Sequence, residues 1–143
     1  VRVLLTKDQI EEILERHPWL PRPKYIYILN APIVYPQLRA LVHGMNPVPE
    51  RDVVILGSTA TEETLIHEII HVAGLGEVAA YSLAPRLLRI RKIFPGLVRR
   101  RPRYEQRIIS SEELRRYGLT AVGRIDHTYV PVDLEVIELR RAD

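Results

Sequence analysis

Eleven prolines cut this 143-residue chain into short lengths, and every helix or strand has to fit between them. Proline fixes φ and has no N–H, so it stops helices and stays out of central strands. Prolines 18, 21 and 23 close the first periodic stretch. There Thr6-Lys7-Asp8-Gln9 has the form of a capping box, with Ile10, Ile13 and Leu14 following at helical spacing, so a helix over about 6–16 is expected. Between Pro23 and Pro32, Tyr25–Leu29 reads as a buried strand that Ile33-Val34-Tyr35 extends or pairs with. Residues 36–50 read as a loop with room for one helical turn, and 52–57 as the clearest strand. A helix from about 62 to 73 stops at Gly74, and a second runs from Glu77 to about 93, kinked or restarted at Pro85 and stopped by Pro95-Gly96. Ser110–Gly118 is expected to be a short capped helix with a glycine stop, and the last 25 residues to hold strands over 128–132 and 134–139.

Composition narrows the chemistry. With 46% apolar and 27% charged residues, the chain is a folded domain rather than a disordered one. It has no cysteine, which excludes disulfide frameworks, thiolate zinc sites, iron–sulfur clusters and cysteine nucleophiles. Any metal must be held by His, Asp or Glu. A net charge of +3 permits an anionic partner without requiring one. Val1–Leu5 is too short for a signal-peptide core, and no window approaches the roughly 20 apolar residues of a membrane span. A cytoplasmic protein with no membrane partner is the expectation.

The chemistry concentrates in His67-Glu68-Ile69-Ile70-His71. Histidines at i and i+4 project from one helical face, so both imidazoles can reach one ion. Glu68 can lean over the same ion without ligating it and take a proton from water. Leu65, Ile66, Ile69, Ile70, Val72 and Ala73 make the helix otherwise apolar, and polar groups buried there unpaired would cost several kcal/mol. A structural histidine pair with a buried glutamate is the alternative. For a third ligand the nearest candidate is Glu77. On a continuous helix it would lie about 240° around from His71 and roughly 9 Å further on. Gly74 and Gly76 permit positive φ and a reversal that swings Glu77 back. The alternative for Glu77 is a first-turn acid of the next helix, and the rival ligands are Glu105, Glu112 and Glu113. His43 and His17 read as ordinary loop or helix-end residues.

A bare His-Glu-x-x-His motif arises by chance in roughly 1–2% of chains of this composition, so the flanks matter. Thr64, the uncharged residues 65, 69, 70 and 72, and the small residue Ala73 match the extended pattern of zinc peptidases. Residues 53–81 resemble the catalytic core of the zincin clan. Gly74 and Glu77 are in register with the metzincin pattern, but the methionine of that group's downstream turn is missing, since Met45 lies upstream. Glu77-Val78-Ala79-Ala80-Tyr81 is closer to the gluzincin pattern, with an unusually short spacer. The resemblance implies one zinc ion per chain on His67, His71 and Glu77, Glu68 as general base, and a peptide or protein substrate lying along the strand before the motif helix. It also implies a donor for the oxyanion, for which His127 and Tyr81, and then Tyr104 and Tyr129, are candidates that spacing does not separate. The expected fold is α+β. A small, twisted, mostly antiparallel sheet packs on the active-site helix and an N-terminal backing helix, in one domain over 1–143. Its core covers about 24–94, and a C-terminal extension of about 97–143 is long enough for residues 104–143 to lie in the cleft and hold the enzyme latent. Two other classes stand beside this one. One is a catalytically inactive zincin-fold binding module. The other is a nucleic-acid-associated protein using Arg99, Arg100 and Arg101 of the Arg99–Arg103 run with Tyr104 beside them, where a solvated linker is the preferred reading.

Overall fold

The computed structural model describes residues 4–35, 40–47, 52–90 and 103–142. Helix α1 (Lys7–Arg16) starts at the expected capping box: the Thr6 hydroxyl accepts from the Gln9 N–H, and the Gln9 side chain returns the bond to the Thr6 N–H. Its far end is tied down by Arg22, whose guanidinium donates to the carbonyls of Leu14, His17 and Leu20. Ile10, Ile13 and Leu14 face the core.

The strands are β1 (Tyr25–Leu29), β2 (Ile33–Tyr35), β3 (Ala40–Val42), β4 (Gly44–Met45), β5 (Val53–Leu56), β6 (Tyr104–Ser110), β7 (Val122–Ile125), β8 (Thr128–Pro131) and β9 (Glu135–Arg141). Five of them form one mixed sheet in the order β4-β5-β1-β9-β6, in which only β1 and β5 run parallel. β2 with β3 and β7 with β8 make two separate hairpin sheets. Helices α2 (Glu62–Val72) and α3 (Glu77–Leu88) follow β5, and a 3-10 helix covers Ser111–Tyr117.

Tyr25–Leu29 and Val53–Leu56 are unbroken apolar runs because the sheet is covered on both faces. Alternate residues Ile26, Ile28, Val54, Leu56 and Leu139 join Ile10, Ile13, Leu14, Leu65, Ile66, Ile69 and Ile70 in a core beneath the three helices. The intervening residues Tyr27, Leu29, Val53, Ile55 and Val136 pack with Leu114, Leu119 and Ala121 in a second core on the opposite face.

The α+β class, the backing helix and the mostly antiparallel pairing agree with expectation, and several details differ. Ile33–Tyr35 pairs with β3 rather than β1. The stretch expected to be a loop contains β3 and β4, because each needs only two or three residues of ladder. α3 ends at Leu88 with Pro85 inside it, and Pro95-Gly96 and Arg99–Arg101 lie outside the described residues. The capped segment after Ser110 is 3-10 rather than α, stopped as expected by Gly118 at φ +78°. β6 was not anticipated, and β7 falls within the last 25 residues expected to hold strands but outside the two stretches singled out there. The largest correction concerns the C-terminal third. Residues 104–142 are no appendage across a cleft: β9 lies between β1 and β6 in the middle of the sheet, and residues 114–136 build much of the second core. No helix among the described residues is long and apolar enough to cross a membrane.

His17, at the C-cap of α1, is fully buried, and neither ring nitrogen has a hydrogen-bond partner among the described residues. Burial first, then the guanidinium charges of Arg16 and Arg22, hold its pKa below the ordinary 6.5. The unfolded chain therefore binds this proton more readily. The stability held by neutral His17 is complete above the unfolded pKa and is lost as pH falls below it, at up to about 1.4 kcal/mol per pH unit. Urea unfolding at pH 7.5 and 5.5 should show a smaller acid loss in His17→Phe than in the wild type. Equal losses would show that His17 does not drive it.

Candidate metal centre

β5 delivers the chain to α2 through a short loop fixed at both sides. The Gly57 N–H donates to the His43 carbonyl and the Ser58 N–H to that of Ala31, at 2.9 and 3.0 Å. Thr61 caps α2: its hydroxyl accepts from the Thr64 N–H, and the Thr64 hydroxyl accepts from the Thr61 N–H. Leu65, Ile66, Ile69 and Ile70 then bury the inner face, which leaves His67 and His71 half-buried along the outer one.

The end of α2 decides whether Glu77 returns. Gly74 has φ +91°, its N–H donates to the His71 carbonyl, and the Leu75 N–H donates to the Ile70 carbonyl. These two bonds and the left-handed residue define a Schellman turn, which reverses the chain immediately. The second glycine behaves otherwise than expected. Gly76 is the N-cap of α3 with φ −83°, an extended conformation open to any residue. One glycine makes the reversal.

The turn brings α3 back alongside α2, with Glu77 level with His71 and Tyr81 level with His67. The Glu77 Oε1 lies 3.4 Å from the His67 Nε2 and in contact with the His71 Nε2. One donor atom from each of the three residues falls within 4.8 Å of the others, and they form the candidate metal-holding group among the described residues. The His71 Nδ1–H donates to the Leu75 carbonyl at 2.9 Å, an assignment fixed by the carbonyl's being an acceptor only. The ring's Nε2 lone pair is thereby directed at the group. Two imidazoles and a carboxylate are a familiar donor set for zinc. With metal–ligand distances of about 2.0–2.2 Å, neighbouring ligands of a tetrahedral ion stand about 3.3–3.6 Å apart, which the His67–Glu77 separation already satisfies.

Glu68 is 7% exposed and does not belong to the ligand group. Burial pushes its carboxyl up to about 7, opposed by the nearby His71 and reinforced by Glu77. A carboxyl poised near neutrality beside a ligand set can take or give a proton under physiological conditions.

The other candidates are dispersed. Glu105 is on β6, opposite Arg140 of β9, and Glu112 and Glu113 are exposed in the first turn of the 3-10 helix, so none joins the group. His43 joins β3 to β4 and hydrogen-bonds the Thr59 hydroxyl. Tyr104 is a structural residue, buried, with its hydroxyl donating to the Pro23 carbonyl at 2.7 Å. His127 sits in the Asp126-His127 turn of the β7–β8 hairpin, where both residues take positive φ. The side chain of Tyr129 and the whole of Arg99–Arg101 lie outside the described residues. Of the expected oxyanion donors, Tyr81 has its ring against the group, 4.7 Å from the His67 ring. Sequence reasoning missed the Leu75 carbonyl, although a Schellman turn at Gly74 would have placed it. Comparison with protein-family models, with curated proteins and with solved structures gives no match to the chain.

The unequal glycines are open to test. Gly74→Ala forces a Cβ into the left-handed region and should cost about 1–2 kcal/mol. A Cβ at Gly76 meets nothing within 4 Å, and the poorer N-cap that alanine makes is offset by the freedom it removes from the unfolded chain, so Gly76→Ala should lower the melting temperature clearly less than Gly74→Ala. Thermal denaturation of the two variants decides, and equal destabilisation would contradict the turn described here.

Proposed function

We propose that the chain is a zinc-dependent metallopeptidase of the zincin-like, gluzincin-like type, with one zinc ion on His67, His71 and Glu77. The observation that carries this reading is the return of Glu77 onto the Nε2 atoms of two histidines four residues apart, beside a buried glutamate. A merely structural histidine pair has no need of a third donor aimed at the same point.

Bound there, zinc would supply Lewis acidity, polarising a scissile carbonyl and bringing the pKa of water to about 7. The remaining work belongs to the chain. Glu68 accepts the proton of the attacking water and passes it to the departing amine, the proton-carrying role that a carboxyl beside the ligand group can fill. The Leu75 carbonyl keeps His71 in the tautomer with a free Nε2. The substrate-aligning strand has to be reassigned. β5, which precedes the motif helix, is an interior strand between β4 and β1, so no peptide can add to it. Among the described residues the sheet edge on that side is β4, and a Cβ on Gly44 would lie 3.0 Å from the Thr64 side chain, one helical turn before His67. An extended peptide pairing with β4 by backbone hydrogen bonds would run past the candidate centre.

Metal binding and hydrolysis can be separated. Zinc at a hundred times its dissociation constant should stabilise the wild type by about 2.7 kcal/mol, and His71→Ala should abolish that gain. Glu68→Gln should keep the zinc-dependent gain and lower hydrolysis of fluorescently labelled casein by about 10²–10⁴-fold. A wild type that zinc does not stabilise would refute the metal reading. A zinc-binding wild type without hydrolysis would favour an inactive binding module.

A further inference from the structure

The two histidines of the centre are not held in the same way. His71 has a backbone acceptor for its Nδ1–H. Among the described residues no hydrogen bond orients His67 comparably, and yet its Nε2 faces Glu77 at 3.4 Å. What surrounds the His67 imidazole is aromatic. The His71 ring stands 4.9 Å away at an interplanar angle of 76°, and the Tyr81 ring 4.7 Å away at 70°. The imidazole thus has two rings against it, each nearly perpendicular to it, an arrangement that the aromatic quadrupole favours.

The placement of Tyr81 is otherwise unexplained. It is 70% exposed, so the core gains little from its ring. It stands one turn after Glu77 on α3, as His71 stands one turn after His67 on α2. The antiparallel helices thereby present two matched i, i+4 pairs. Glu77 meets His71, and Tyr81 meets His67.

Resting on the metal-centre reading above, we propose that the ring of Tyr81, rather than its hydroxyl, is the positioning element for His67. It does by packing what the Leu75 carbonyl does for His71 by hydrogen bonding. Without the ring, the imidazole is free to rotate about its side-chain torsions, and the cost of reordering it falls on metal binding. Loss of an orienting partner outside the ligand set ordinarily weakens metal affinity by about 10–100-fold.

The test uses the full chain, titrated with zinc against a chromogenic chelator and with cobalt(II) by its visible absorption. Tyr81→Phe should bind both ions within a few-fold of the wild type and give the same cobalt spectrum. Tyr81→Ala and Tyr81→Gln should bind about 10–100-fold more weakly and show altered cobalt bands, at unchanged metal-free melting temperature. The glutamine variant retains helix propensity, so the result does not hang on alanine alone. Wild-type affinity and spectrum in the alanine and glutamine variants would overturn the proposal and leave the metal centre standing. A phenylalanine variant as weak as alanine would overturn it too, by assigning the role to the hydroxyl. A wild type that takes up neither ion would overturn the metal-centre reading and this inference together.

Discussion

The pairing of β9 with both β1 and β6 is the constraint on which the other layers rest. β9 meets β1 over Val136–Arg140, joining residues more than a hundred positions apart, and β6 over Glu135–Arg141. Its inner face presents Leu139 to the helices, and its outer face presents Val136 to the second core. Glu138 also lies on that outer face, buried, and the Arg107 guanidinium of the neighbouring strand meets it at 2.6 Å. Without that cation an ionised carboxylate would be sealed into the sheet. β9 therefore carries the means of covering both faces at once, and the helices need that covered sheet as their floor.

Local signals were the legible ones. The capping residues Thr6 and Thr61, the apolar spacing of Ile10, Ile13 and Leu14, and the stops at Gly74 and Gly118 act within a few residues, so they could be read directly. The runs at 25–29 and 53–56 were visible as strands, but neither shows that the two lie parallel. β6 was missed because Glu105, Gln106 and Arg107 are exposed at the sheet edge, where polar residues are tolerated and apolar alternation fades. β4 was missed because two residues carry no periodicity at all. The misreading of residues 104–143 as an extension has the same root: long-range pairing leaves no local mark in a strand such as β9.

The candidate site was more legible than the fold, for a physical reason. Its parts sit on consecutive elements within 67–81, so helix geometry and one turn suffice to place them. His67, Glu68 and His71 follow from the period of a helix, and Glu77 from the reversal that Gly74 permits. What escaped was how the parts are held. The bond from His71 to the Leu75 carbonyl and the rings packed against His67 depend on how the two helices face each other, which spacing on either one does not give.

The shortness of the loop between the donors bears on thermodynamics. His67 and Glu77 are joined by a stretch of chain that already folds back on itself through the Gly74 turn. Tying such neighbours together removes little freedom from the unfolded chain, because closure entropy grows with the length of the loop closed. An ion at this point would be a local clasp on a helical hairpin rather than a tether between distant parts of the polypeptide. The sheet, anchored by contacts from one end of the chain to the other, does not depend on it. An ion bound there would add stability by mass action without being a condition for folding, unlike in small domains whose metal is their only core.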